Sequence, residues 1–432
     1  MQKKYFLLSS LALLTSSLFS SSLIVYNNGI GLVHEQRDIS IKKGDKQIIY
    51  KDVARTINTD SVNIVLPTSV KLYSQQYRFD KLTMSKLLDA HIGKNVRVDA
   101  RSVTLLSHNN LTSIVKTSKN NIITVKSKDI IFKTIPTSLI TKPSLVWNID
   151  ASKNLKTTMD ISYLIRGISW ESNYILNLHG NMADLSGWMT IDNRSGKAYK
   201  KIKLNVLAGD INRVQKRRPQ ARYGILMQAN STGVSHKAHE GYHFYTVPFK
   251  VNLSNNEKTQ IKFISQNSIP IRRKYSATLS NPLHLKSEIK HSATQYIEIK
   301  KLQIPLPKGV VRTYSKLKNE NILLGESKLE HTPNNTKISL DIGKNFDIEI
   351  KESILSRSDN KQYFDTSVSY VLKNSSDKKK SIELLIPFNK NSTSTIETSK
   401  SYKYKQGNKL SFKILVDAKK SEQFSVRFRS AR

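Results

Sequence analysis

The chain has 432 residues, 38% of them hydrophobic and 24% charged, with 70 Lys and Arg against 33 Asp and Glu and a formal net charge of +37. That length accommodates two to four domains with hydrophobic cores, and the apolar positions are spread too evenly for wholesale disorder. Cysteine is absent, which excludes disulfides, thiolate chemistry, sulfur-ligated metals and a cysteine-linked lipid anchor.

Lys3 and Lys4 precede a 14-residue apolar run, Phe6 to Phe19, that ends in Ser20-Ser21-Ser22. A cationic start, a short apolar core and small residues mark residues 1–22 as an export signal, with cleavage expected between Ser20 and Leu23. A membrane span needs about 20 apolar residues, so this run is too short for a permanent anchor. No later segment is apolar enough to span a bilayer, and the mature chain is expected in the periplasm or secreted.

Residues 23–83 read as an N-terminal β domain, opening with strand, Asn-Asn-Gly turn and strand in "SLIVYNNGIGLVHEQRDISI". Residues 84–142 follow. A short helix is predicted from Thr83 to His91, with Thr83 as cap, Leu87 and Leu88 packing, and a stop at Gly93. Five strands of four to six residues then suggest a small SH3-like barrel. Residues 143–308 carry longer strands of a β-sandwich. Met159, Ile161, Tyr163 and Ile165 alternate with Asp160, Ser162, Leu164 and Arg166, and Ile202, Leu204, Val206 and Ala208 alternate with lysine and asparagine. Inside this domain, residues 213–238 are basic, then polar, without sustained period, and read as a flexible loop. A break at "PLPKG" precedes a C-terminal β-sandwich, residues 309–432, in which Val368, Tyr370 and Leu372 alternate. The fold class is all-β and multi-domain, with very little helix.

"ISYLIRGISWESNYILNLHG" and the following "LSGWMTIDNRSGKAYKKIKLNVLAGDINR" resemble a bacterial family catalogued as a domain of unknown function, to which mucoidy-inhibitor-A-like proteins belong. The features carrying the resemblance include Tyr163, Gly167, Trp170, Tyr174, Gly187-Trp188, Asn193, Ser195-Gly196 and Tyr199. It continues in "YHFYTVPFKVNLSNNEKTQIKFI", "LPKGVVRTY", "LGESKLEHTPNN" and "DIGKNFDI", and so covers nearly the whole mature chain. The resemblance implies an exported β-sandwich protein. It brings no activity, cofactor or catalytic residue with it.

His239-Glu240-Gly241-Tyr242-His243 matches H-E-x-x-H. Zinc proteases carry that pattern on a helix, where positions i and i+4 put both imidazoles on one face and the glutamate polarises metal-bound water. Here Gly241 costs about 1 kcal/mol against alanine in a helix, and Phe244 to Val247, aromatic and β-branched, lead into Pro248. In one extended strand the two histidines would stand roughly 13 Å apart. No third ligand follows, since Glu257 lies in an Asn-Asn-Glu-Lys turn. A strand with exposed histidines is the expectation, and no cofactor. A zinc hydrolase using His239, Glu240 and His243 is the alternative, and an adventitious surface site with His236 a lesser one.

Other motifs fade faster. "GIGLVH" lacks the third glycine and the helix of a dinucleotide loop, and no G-x-S-x-G elbow or phosphate loop is present. Asp210 reads as a turn carboxylate, and Trp170 and Trp188 as core anchors. The densest cationic run is Arg213, Lys216, Arg217, Arg218 and Arg222, beside Pro219. These are candidate polyanion-binding residues, because such a charge excess attracts polyanions at long range. After export the available partners are anionic envelope polymer or membrane-surface phosphates; nucleic acid is not expected. The expected function is a non-enzymatic protein that binds or organises envelope components. A structural scaffold pairing with a protein partner through its sheet edges is a further alternative.

Overall fold

The computed structural model describes residues 18–136, 139–208, 235–239, 242–359, 362–390 and 393–431. Strands make up 66% of the chain and helix 3%, so the all-β reading holds. In chain order come β1 (Leu18–Tyr26), β2 (Ile30–Ile41), β3 (Gln47–Lys51), β4 (Asn63–Val65) and β5 (Val70–Arg78). Helix α1 (Met84–Asp89) leads into β6 (Asn95–Val98), β7 (Arg101–His108), β8 (Thr112–Lys116) and β9 (Ile122–Lys126). Longer strands follow: β10 (Ser144–Ala151), β11 (Leu155–Arg166), β12 (Ile168–His179), β13 (Met182–Asn193) and β14 (Tyr199–Ala208). Next are β15 (Ser235–His239), β16 (Tyr242–Leu253), β17 (Glu257–Thr278), β18 (Ile289–Ile299), β19 (Gly309–Leu317) and β20 (Glu320–Leu329). The C-terminal part holds β21 (Ile338–Asp359), β22 (Tyr363–Asn374), β23 (Lys380–Pro387), β24 (Thr395–Glu397), β25 (Tyr402–Lys405), β26 (Lys409–Val416) and β27 (Ser421–Ala431).

The chain forms two compact units. One comprises Met1–Trp170, Ile191–Asp210 and Phe249–Thr259; the other comprises Glu171–Thr190, Ile211–Pro248 and Gln260–Arg432. In the first unit the strand order β14-β1-β2-β11-β4 forms one sheet and β3-β10-β5 a second. Strand alternation decides what lies between them. Met159, Ile161, Tyr163 and Ile165 of β11 are all fully buried, each worth about 1.5–3 kcal/mol relative to exposure. From the smaller sheet, Tyr50 and Trp147 contribute rings with centroids 5.7 Å apart. Trp170 is buried, as expected, with its indole N–H donating to Leu207 O at 3.1 Å. Trp188 is only half-buried.

Helix α1 lies where the sequence places it. The hydroxyl of Thr83 accepts from the backbone N–H of Lys86, and Leu88 is buried with Val96, Val103, Leu105, Val115 and Ile130. The barrel expected after it does not form. β6, β7, β8 and β9 make an open four-stranded meander. After β9 the chain makes a 3-10 turn, Ser127–Asp129, and returns to β6 through a single bridge, Arg97 with Ile131, instead of a fifth strand. One bridge cannot set the stagger that closure of a barrel requires. No closed barrel is present among the described residues.

The second unit has two cores. Tyr174, Leu176, Leu185, Ile264, Ile297 and Leu340 belong to the first. At β12, Gly309 of the parallel neighbour β19 allows backbone contact, since a Cβ there would meet Ser172 O at 2.2 Å. The second core lies between two layers. One has the order β18-β21-β22-β27, and the other contains β23, β26 and β25, with β23 parallel to β17. Ile350, Tyr370, Ile382, Phe412 and Phe428 pack there.

Candidate functional site

The residues singled out in the sequence meet different fates. Arg213, Lys216, Arg217, Arg218, Arg222 and Glu240 lie outside the described residues, as does Asp210. His239 ends β15 and His243 lies near the start of β16, and the two strands pair antiparallel with His239 opposite Tyr242 and Ala238 opposite His243. The backbone on both sides of the Glu240-Gly241 link is therefore extended, and the helical spacing of an H-E-x-x-H site is absent from 235–239 and 242–253. The separation along one continuous strand does not apply either, because the two histidines belong to neighbouring strands of a hairpin. Among the described residues no cluster of three or more His, Asp or Glu side chains could hold a metal ion.

Six acidic residues are buried among the described residues, Glu35, Asp45, Glu298, Glu352, Asp365 and Glu383. Glu35 on β2 accepts from Arg37 Nη2 at 2.7 Å, from Lys197 Nζ at 2.7 Å and from the Tyr50 hydroxyl. Burial alone pushes its carboxyl up, but Lys197 and Arg37 more than offset this and hold it below the usual carboxylate range. Burial and the Glu35 charge push the Tyr50 hydroxyl up. Glu35 is thus an ionised group with no proton to give, closed off from solvent. Two cations meet one anion here, while Arg37 Nε and the hydroxyl of fully buried Tyr163 have no partner. Glu352 is also fully buried. It accepts from His291 Nε2 at 2.8 Å, while its other oxygen and the Tyr370 hydroxyl have no partner.

Glu383 belongs to a different setting. It lies on β23, facing away from the core, between cations. Lys274 Nζ is 2.6 Å away, Ser411 Oγ donates at 2.7 Å, and Lys405 Nζ also donates. Burial pushes its carboxyl up, but the hydrogen bonds from Lys274, Lys405 and Ser411 win and bring it down to about 2.

The register around Glu383 builds a surface. On β26, Leu410, Phe412 and Ile414 are buried in the core, so Lys409, Ser411 and Lys413 take the outer face. Lys413 stands opposite Glu383, Lys403 opposite Ser411, and Lys405 opposite Lys409. Paired residues share a face. Lys274, Lys403, Lys405, Lys409 and Lys413 therefore gather around one carboxylate, leaving four positive charges uncompensated. Lys405 opposite Lys409 is a like-charge pair that costs stability in an empty sheet. Among the described residues Lys403, Lys409 and Lys413 have no ion-pair partner. Among the described residues β25 pairs with β26 alone, so there the face runs to an open edge.

Such a face attracts anions out to a Debye length of about 10 Å at 0.1 M salt. Its lysines come from β17, β25 and β26, which is why no dense run in the sequence marks it. The signal that was present is the alternation in "YKYKQGNKLSFKILV", where lysines repeat at even spacing against Leu410 and Phe412. Comparison with known proteins returns no matching family model and no similar curated protein.

Proposed function

We propose that this is an exported, non-enzymatic β-sandwich protein that binds or organises anionic components of the cell envelope. The lysine face around Glu383 carries the reading: five ammonium groups on one flat sheet surface, with one carboxylate among them. The buried carboxylates do not supply a general acid. Glu35 and Glu383 are held ionised by their cationic neighbours and have no proton to donate near neutrality. The export reading rests on residues 1–22, and the resemblance to the mucoidy-inhibitor-A-like family agrees with it.

The test is retention of the mature protein on an immobilised anionic polymer during a salt gradient. Wild type is held at about 0.1 M salt and elutes as salt rises. Lys403→Glu with Lys409→Glu and Lys413→Glu elutes earlier. Absence of retention at about 0.1 M salt defeats the proposal. Near-stoichiometric zinc in the purified chain, lost in His243→Ala, replaces it with the hydrolase.

A further inference from the structure

The corner that begins the lysine sheet occurs twice. Asn374 ends β22, and its amide donates to Lys378 O at 2.9 Å, Val416 O at 3.2 Å and Asp417 O at 3.0 Å. Its carbonyl oxygen accepts from Ser376 N at 3.1 Å and Ser376 Oγ at 2.7 Å. Asn193 ends β13 and does the same. It donates to Lys197 O at 2.8 Å, Leu253 O at 3.3 Å and Ser254 O at 3.0 Å, and accepts from Ser195 N at 3.2 Å and Ser195 Oγ at 2.7 Å. Even the next backbone bond repeats: Arg194 N donates to Gly167 O, and Ser375 N to Asp347 O. Each corner follows the pattern N-x-S-x-K, and each leads into the strand that borders the one its amide reaches, β14 beside β16 and β23 beside β26. Five matching side-chain bonds at matching places in two strand sequences make these two copies of one corner motif.

The duplication gives the lysine face a counterpart. Val416 and Leu253 are the carbonyls reached by the two asparagines, and three residues before them stand Lys413 and Lys250. In the first unit Lys250 and Asn252 are exposed while Val251 and Leu253 are buried. On β14, Lys200 and Lys203 are exposed while Ile202 and Leu204 are buried. The backbone N–H of Lys201 donates to Asn252 Oδ1 at 2.8 Å and ties the two strands together. Among the described residues Lys200, Lys203 and Lys250 have no ion-pair partner.

We infer that each copy of the corner adjoins an anion-binding sheet face, Lys200, Lys203 and Lys250 in one and Lys403, Lys409 and Lys413 in the other, so that one chain binds two segments of a phosphate-bearing polymer. This rests on the proposed polyanion-binding function and adds to it a second site and a stoichiometry. Lysine binds phosphate oxygens as a compact point charge, without the planar pairing geometry that an arginine fork imposes.

The experiment is calorimetric titration of the mature protein with a short linear polyphosphate. Wild type takes up two molecules per chain. The triple variant Lys200→Glu, Lys203→Glu, Lys250→Glu takes up one, as does Lys403→Glu, Lys409→Glu, Lys413→Glu, and the sixfold variant takes up none. Replacing the same six lysines by arginine keeps both sites, and unchanged melting temperatures exclude misfolding of the exposed-site variants. If wild type binds one molecule and only the second triple variant loses it, the duplication inference fails while the polyanion function stands. Binding that no variant alters overturns both. Tighter binding to phosphatidylglycerol vesicles than to the polymer overturns the assignment of ligand.

Discussion

Lys197 Nζ lies 2.7 Å from Glu35 Oε1, with both side chains almost completely buried, and 162 positions of sequence separate the two residues. The bond joins the turn before β14 to the middle of β2. A buried ion pair is not itself strong evidence of stability, but removing one partner strands a charge in the interior. Glu35→Gln, which leaves buried Arg37 and Lys197 without their anion, is therefore expected to destabilise the fold by about 3–5 kcal/mol. Lys203→Met, on the exposed face of β14, is expected to stay within about 0.5 kcal/mol. Denaturant unfolding of the two variants measures both, and similar small effects would deny the pair its place in the core.

Glu383 makes stability depend on pH in a defined window. Its carboxyl has an ordinary value of 4.5 and is brought to about 2 in the folded chain by its hydrogen bonds to Lys274, Lys405 and Ser411. A depressed folded value means that the folded state binds the proton less readily than the unfolded state. The contribution is complete above 4.5 and is lost as pH falls from there towards 2. Glu383→Gln is expected to flatten that part of the profile while changing its slope near neutrality little. Unfolding free energy measured against pH for both proteins checks the sign.

The two asparagine corners predict matched mutational costs. Asn374→Ala removes the donor to three carbonyls, of which Val416 O is buried, and Asn193→Ala does so at the equivalent place, where Lys197 O and Leu253 O are buried. Each unsatisfied buried group costs about 1–3 kcal/mol, so each variant is expected to lose at least about 1 kcal/mol. Asp at either position keeps the acceptor for Ser195 or Ser376 but loses the donor, and is expected to be no better. Thermal unfolding reads the loss; a neutral Asn374→Ala would show that the corner is not structural.

The strand pattern was legible because its cause is local. Successive side chains of a strand point to opposite faces, so Met159, Ile161, Tyr163 and Ile165 announce a buried face without reference to any partner. Thr83 announced its helix for the same reason, since the cap reaches only three residues on. The barrel failed on a non-local point: short alternating segments do not say whether the last strand returns to the first, and here a 3-10 turn and one bridge take its place. His239 and His243 do not share one strand for a similar reason, since β15 and β16 pair antiparallel and each strand holds one of them.

By itself the sequence determined an all-β chain with a short helix, a large cationic excess and an expected export signal, since hydrophobic period, capping and net charge are properties of neighbours and sums. Only the tertiary structure decided which charges meet. Strand pairing brought Lys413 and Lys405 around Glu383, buried Glu35 against Lys197, and revealed Asn193 and Asn374 as the same corner made twice. The physical reason is that electrostatic work depends on distance through space and on burial, and in a sheet both are set by register between strands far apart in the chain.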